Sequence, residues 1–243
     1  MGQLFVVGIG PGSPEYMTEQ ARAALDTAEV LCGYTTYIEL IRPYYHDKRY
    51  ISTPMTRELD RCRAALAIAD GGGSAALVCS GDAEVYGMAA PVLELAAEYP
   101  NAEIEIVPGI TAALSGGAAL GAPLGHDFCV ISLSDLLTPW EIIEKRLRAA
   151  AVGDFVTVLY NPGSKKRTEC LRRACEIMLD CGKNQNTACA WVRNIGRAGE
   201  ESGTLTLSEL KSFTADMFTT VFIGNESTFV ENGRLITPRG YKK

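Results

Sequence analysis

Three short glycine-bearing segments hold the residues with the clearest chemical potential: Gly8-Ile9-Gly10-Pro11-Gly12, Ser80-Gly81-Asp82 and Pro108-Gly109-Ile110-Thr111. Each follows directly on an apolar, β-branched run that reads as a strand. If those strands are parallel, all three segments emerge on one edge of a sheet, where open α/β sheets bind ligands. Glycine lets backbone approach a ligand with no Cβ in the way. The plainer alternative, that each glycine only makes a turn into a helix, suffices for any one segment. Three on one edge favour a ligand site.

Common fingerprints narrow the ligand. The dinucleotide motif G-x-G-x-x-G fails because Ser13 stands at its third glycine, and no acidic residue follows the next strand in the required place. Gly163-Ser164-Lys165-Lys166 resembles a phosphate-binding loop only superficially, and the first glycine segment has no lysine for a phosphate. Metal chemistry is not expected. There is no C-x-x-C pair, Cys170, Cys175 and Cys181 share one helical segment at spacings of five and six, and the histidines are His46 and His126. A serine nucleophile is equally unsupported, since no G-x-S-x-G elbow occurs.

The chain has 243 residues, 47% hydrophobic and 21% charged, with a formal net charge of −6. This composition excludes intrinsic disorder and disfavours a nucleic-acid binder, which needs a basic footprint. No apolar run approaches the roughly 20 residues that span a bilayer. MGQLFVVGIGPG lacks the basic start and small-residue cleavage site of a signal peptide, so a cytoplasmic chain is expected. The eight cysteines sit mostly inside apolar runs, which reads as buried free thiols rather than a disulfide framework.

Positioning those loops requires alternating strands and helices, the pattern of a parallel-rich α/β chain. Strands are expected over 3–9, 75–79, 103–107, 128–133, 155–160, 187–193 and 219–224. Helices are expected from about Glu15 or Thr18 to Glu29, and over 57–70, 86–98, 141–150 and 166–181. Gly71-Gly72-Gly73 should stop the second of these. The glycine-rich stretch 115–125 reads as a boundary, after which the alternation restarts, giving α/β domains over 1–118 and 119–243. Asn232-Gly233 predicts a closing hairpin.

Taken together, VGIGPGSPEYMT, SGDAEVYGMA (80–89), VPGITAA (107–113) and LYNPGSKKR (159–167) resemble the tetrapyrrole methyltransferases of cobalamin biosynthesis, in order and over essentially the whole chain. GHDFCVISLSDLLTPW (125–140), the YNP motif, GRAGE (196–200) and TTVFIGN (219–225) are similar to the branch that methylates C-17 of precorrin-3B or cobalt-factor III and contracts the ring. One departure from the family pattern is Glu84, where glycine is more usual.

The resemblance implies two α/β domains with a ligand cleft between them, not a Rossmann fold, binding S-adenosylmethionine and a macrocyclic substrate, usually as a homodimer. Carried over residue by residue, the cofactor contacts are Pro11, Gly81, Asp82, Ala83, Tyr86, Thr111 and Ala112, then Asn161, Arg193, Asn194 and Thr219. Gly10, Gly12, Ser132, Lys165 and Arg167 are expected to meet the substrate. Proton transfer during ring contraction is sought among His126, Asp127, Ser132, Ser134, Asp135 and Thr138, with His126 or Asp127 the expected carrier, although Ser134-Asp135 also reads as a turn before Pro139-Trp140. Arg57, Arg61 and Arg63 are further candidates for the substrate's carboxylates; solvated helix faces are the alternative. A methyltransferase for another corrin-ring carbon and a non-catalytic tetrapyrrole carrier remain competing readings.

Overall fold

The computed structural model describes residues 1–164 and 167–241. Two compact units form, Met1–Ala112 and Ala113–Lys243. The first contains β1 (Gly2–Gly8), α1 (Glu19–Thr27), β2 (Val30–Tyr34), α2 (Thr35–Ile41), β3 (Arg49–Thr53), α3 (Glu58–Asp70), β4 (Ser74–Cys79), α4 (Ala89–Leu95) and β5 (Ala102–Val107). Its sheet runs β3-β2-β4-β1-β5 with every neighbouring pair parallel.

A parallel sheet is covered on both faces, which is why β1 is a continuous apolar run rather than an alternating one. Leu4 and Val6 pack with Cys62, Leu66 and Val92 of α3 and α4. Phe5 and Val7 pack on the opposite face with Ala21, Leu25 and Ile38 of α1 and α2. The first helix begins at the later of its two expected starts, because the Thr18 hydroxyl accepts the Ala21 amide at 3.0 Å. Pro14–Tyr16 instead forms a separate 3-10 turn. The helix expected over 86–98 is shorter, since Tyr86 takes a left-handed backbone (φ 54°) and ordered α-helix starts only at Ala89.

The units divide at Ala112 and Ala113, at the start of α5 (Ala112–Leu120), whereas the boundary expected at 118 and 119 falls inside that helix. The second unit continues with β6 (Gly121–Ala122), β7 (Phe128–Ser132), α6 (Trp140–Val152), β8 (Val156–Tyr160), α7 (Cys170–Asp180), β9 (Ala188–Arg193), β10 (Glu201–Thr206), α8 (Leu207–Leu210), β11 (Thr219–Ile223), β12 (Phe229–Glu231) and β13 (Arg234–Ile236). Its main sheet runs β10-β9-β11-β8-β7, with β7 parallel to β8, and β11 antiparallel to both β8 and β9. Strands β7, β8 and β9 therefore all point the same way. One face carries Ile143, Leu147, Leu171 and Met178 against Ile131, Leu159 and Val221.

The other face takes α5 at close range through Gly116. A Cβ there would stand 2.8 Å from Val192 Cγ1 and 3.0 Å from Ile195 Cδ1. Alanine would gain about 1 kcal/mol of helix propensity. Overpacking against a stiff valine costs typically 1–3 kcal/mol. The two terms leave a net cost of about 0–2 kcal/mol, so Gly116→Ala is expected to lower unfolding free energy by up to about 2 kcal/mol in denaturant titration.

The chain closes as expected with a β12–β13 hairpin, in which Glu231 pairs with Arg234. Asn232 (φ 51°) and Gly233 (φ 74°) supply the two left-handed residues that its tight turn requires. All eight cysteines are free and six are buried. Burial pushes the thiols of Cys32, Cys79 and Cys175 up to about 12. No helix among the described residues is long and apolar enough to cross a membrane.

Candidate active site

The three glycine segments leave the carboxyl ends of β4, β1 and β5, which are adjacent in the first sheet. Gly10 and Gly81 bridge each other through backbone hydrogen bonds of 2.9 and 2.7 Å, both with φ +72°. Gly109 then presses against both loops. A Cβ on it would lie 2.2 Å from the Gly81 carbonyl oxygen and 2.5 Å from that of Gly8. Three backbones meet here with no room for side chains between them.

Asp82 ties this meeting point together. One carboxylate oxygen accepts the Glu84 and Val85 amides, each at 2.9 Å, and the other accepts the Gly109 amide at 2.9 Å. Burial alone would raise its carboxyl pKa, but the amides from Gly109, Val85 and Glu84 outweigh burial and hold it below the ordinary value. Asp82, expected to touch the cofactor, thus spends its side chain on positioning two loops. Glu84 keeps φ outside the left-handed region, so the local turn does not need the glycine usual there. Pro11 and Gly12 are buried, Ala83 is fully buried, Thr111 and Ala112 are half-buried at the start of α5, and Tyr86 is exposed.

The second unit has an analogous edge, formed by the carboxyl ends of β7, β8 and β9 and the start of β11. Asn161 (φ 53°) donates through Nδ2 to Ser132 Oγ at 2.9 Å, and Ser132 Oγ also accepts the Ser134 amide at 3.2 Å. Arg167 donates to the Leu133 carbonyl at 3.4 Å and lies 3.8 Å from the Asp135 carboxylate. Asp135 and Arg167, expected to serve catalysis and substrate binding separately, are therefore partners. Arg193 Nε donates to Asp216 at 2.8 Å, and the Thr219 hydroxyl donates to the same carboxylate at 2.9 Å. Burial raises the Asp216 pKa, but Arg193, Thr219 and the Phe218 amide together bring it below its usual value. Asn194 (φ 53°) is paired through its amide with the Phe218 carbonyl. Asp216 was not legible as a site residue, because its role depends on partners brought together by strand pairing.

Two expected residues lie elsewhere. His126 and Asp127 precede β7, and the Asp127 carbonyl accepts the Val156 amide at the amino end of β8. They are exposed, and His126 Nδ1 accepts its neighbour's amide at 2.9 Å. A strand length separates them from Ser132, Ser134 and Asp135 at the carboxyl end, so the expected catalytic group is divided between opposite edges. Lys165 lies outside the described residues. Among the described residues, no three His, Cys, Asp or Glu side chains gather as a metal site would.

A parallel α/β unit with a glycine-walled carboxyl edge, no dinucleotide or phosphate motif, and a second mixed-sheet unit defines a class distinct from Rossmann methyltransferases. The chain belongs to the tetrapyrrole (corrin/porphyrin) methylases, whose family model matches residues 3–211. A probable cobalt-factor III C(17)-methyltransferase of Salmonella typhimurium is 47% identical, covering 98% of this chain and 99% of that protein. A precorrin-3B C(17)-methyltransferase of a Sinorhizobium species is 40% identical over 99% of this chain and 97% of its own length. The crystal structure of the methyltransferase CobJ superposes with a TM-score of 0.90 at 39% identity, covering 98% of this chain and all of that one.

Proposed function

We propose that this protein methylates C-17 of precorrin-3B or cobalt-factor III from S-adenosylmethionine, with ring contraction, in cobalamin biosynthesis. The observation that carries this reading is 47% identity to a C(17)-methyltransferase across nearly the full length of both chains. The first-unit edge is compatible with the donor. Its three loops contain no Lys or Arg for a phosphate, and they offer backbone and small side chains to an adenosine.

When bound, the donor supplies an already activated methyl group, so no protein nucleophile is needed. The chain's contribution is then positioning, which can supply up to about 7–11 kcal/mol in favourable cases. Pro11, Gly81, Ala83, Tyr86, Thr111 and Ala112, with Asn161, Arg193, Asn194 and Thr219, are the proposed donor contacts, and Asp82 acts through the loops. Gly10, Gly12, Ser132, Lys165 and Arg167 are the proposed substrate contacts. For proton movement during contraction, Ser132, Ser134 and Asp135 are favoured over His126 and Asp127, because the former share an edge with Asn161. Any cobalt belongs to the substrate. A cytoplasmic homodimer completes the proposal.

Incubation of the purified protein with S-adenosylmethionine and either macrocycle, followed by mass and absorbance spectra, is expected to yield a singly methylated, ring-contracted product from at least one. Failure to methylate both would overturn the assignment. In the same assay His126→Ala and Asp127→Asn are expected to form contracted product near the wild-type rate. Methylation without contraction in either variant would return proton transfer to that pair.

A further inference from the structure

Helix α3 carries three arginines with different surroundings. Arg57 pairs with Asp60, and Arg63 with Glu98, both in exposed ion pairs. Arg61 is 5% exposed, yet among the described residues no carboxylate lies within ion-pair distance of it. Its guanidinium has only neutral company. Nε donates to Thr53 Oγ1 at 2.9 Å, one terminal nitrogen to the Pro54 carbonyl at 3.2 Å, and the other reaches the Met88 sulfur at 4.0 Å. The Tyr34 ring lies 5.8 Å away.

A buried cation without a counter-charge is costly, since neutral acceptors replace only part of the hydration it loses. Its place in the first turn of α3 adds to the cost, because the helix dipole is positive there. The acids of that turn are turned elsewhere, Asp60 to Arg57 and Glu58 to the Thr56 amide. The position also has meaning in the fold. Tyr34, Thr53 and Met88 follow or end β2, β3 and the β4 loop, so Arg61 underlies the same carboxyl edge as the glycine site, displaced toward β3. Met88 ends the same SGDAEVYGM segment that contains Gly81 and Asp82.

We propose that Arg61 recognises a peripheral carboxylate of the tetrapyrrole substrate, which displaces the Met88 sulfur from the guanidinium. This inference rests on the function proposed above and specifies how that site selects its substrate. A thioether is a weak acceptor on a flexible side chain, whereas a carboxylate makes a charge-assisted contact with the planar fork. The donor's own amino-acid carboxylate is the other possible source of this chemistry, and the measurements below separate the two.

The test uses the full chain with Arg61→Met, similar in volume but uncharged, and Arg61→Lys, which keeps charge but not the fork. Equilibrium titration with cobalt-factor III, read by absorbance, is expected to weaken about 10- to 100-fold in Arg61→Met and less in Arg61→Lys. KM for the macrocycle should rise in step, with kcat changed little and S-adenosylhomocysteine affinity unchanged by calorimetry. Unchanged macrocycle affinity in Arg61→Met overturns the proposal, as does weakening confined to S-adenosylhomocysteine. A lower melting temperature in the ligand-free variant with unaltered macrocycle affinity also overturns it, marking Arg61 as a strut. If wild type binds the macrocycle without methylating it while Arg61→Met still weakens binding, the carboxylate contact stands and the methyltransferase assignment falls.

Discussion

Gly109→Ala is expected to abolish measurable binding of S-adenosylhomocysteine and to lower kcat/KM by more than about 100-fold. The added methyl would sit 2.2 Å from the Gly81 carbonyl oxygen and 2.5 Å from that of Gly8, and both are backbone atoms with no rotamer to yield. Relief requires the β4 and β1 loops to part, and parting them breaks the Gly10–Gly81 bridge. A misplacement of about 1 Å at a reacting centre costs on the order of 10²-fold. Global stability should fall by about 3 kcal/mol, the upper end of the cost typical of overpacking, because both clashes are with backbone atoms. Gly72→Ala provides the contrast. Gly72 also has positive φ (+90°), but nothing lies within 4 Å of its Cβ position. Only the left-handed penalty of about 1–2 kcal/mol applies there, and donor binding should be retained. Calorimetry on the two variants checks the difference; donor binding retained in Gly109→Ala would show that the three loops do not act as one surface.

Asp82→Ala should weaken donor binding by about 10- to 100-fold while leaving the fold intact, since it strips three backbone amides of their acceptor. The structural cost is about 2–4 kcal/mol, tempered because the residue is only half-buried. Asp82→Asn is more selective. One amide oxygen can still receive Glu84 and Val85, but the NH2 group turned toward Gly109 meets another donor. That variant should keep the β4 turn and lose its attachment to the β5 loop, giving an intermediate affinity. The wild-type interaction also has a pH signature. Because the folded carboxyl titrates below its unfolded value of about 3.9, its stabilisation is complete above that pH. It drains away as pH falls further, through the depressed folded pKa. Asp82→Asn should therefore show a flatter stability profile below about pH 4 than wild type, measured by denaturant midpoint.

Much of this could be read from local pattern. The loops after β1, β4 and β5 were legible because glycine and proline punctuate long apolar runs, and the Asn232-Gly233 hairpin because its turn demands those residues. The segment holding β2, α2 and β3 was not. Val30–Tyr34 is five residues with an internal glycine, and Arg49–Thr53 is a half-exposed edge strand with charged and hydroxyl side chains. Strand β10, Glu201–Thr206, was lost for the same reason. At the candidate site, residue types were visible but their partners were not. Asp82 reaches Gly109 across 27 residues, and Arg167 reaches the Leu133 carbonyl across 34. Helical spacing placed Arg57 and Arg61 one turn apart, yet only packing distinguishes the solvated one from the buried one. His126 is expected at the site as an acid/base group in the GHDFCVISLSDLLTPW segment, but strand β7 within that segment carries its two ends to opposite edges.

The thiols described above carry a consequence for handling the protein. With Cys32, Cys62 and Cys79 in the first unit and Cys170, Cys175 and Cys189 in the second all buried and their thiols pushed up by burial, alkylating reagents and mild oxidants are kept from these six while the chain is folded, whereas Cys129 and Cys181 are half-buried. Once either unit opens, its cysteines become nucleophiles in a chain with no native bridge to reform. For the six buried thiols, transient opening is then converted into covalent damage, so their loss in air follows the opening of each unit.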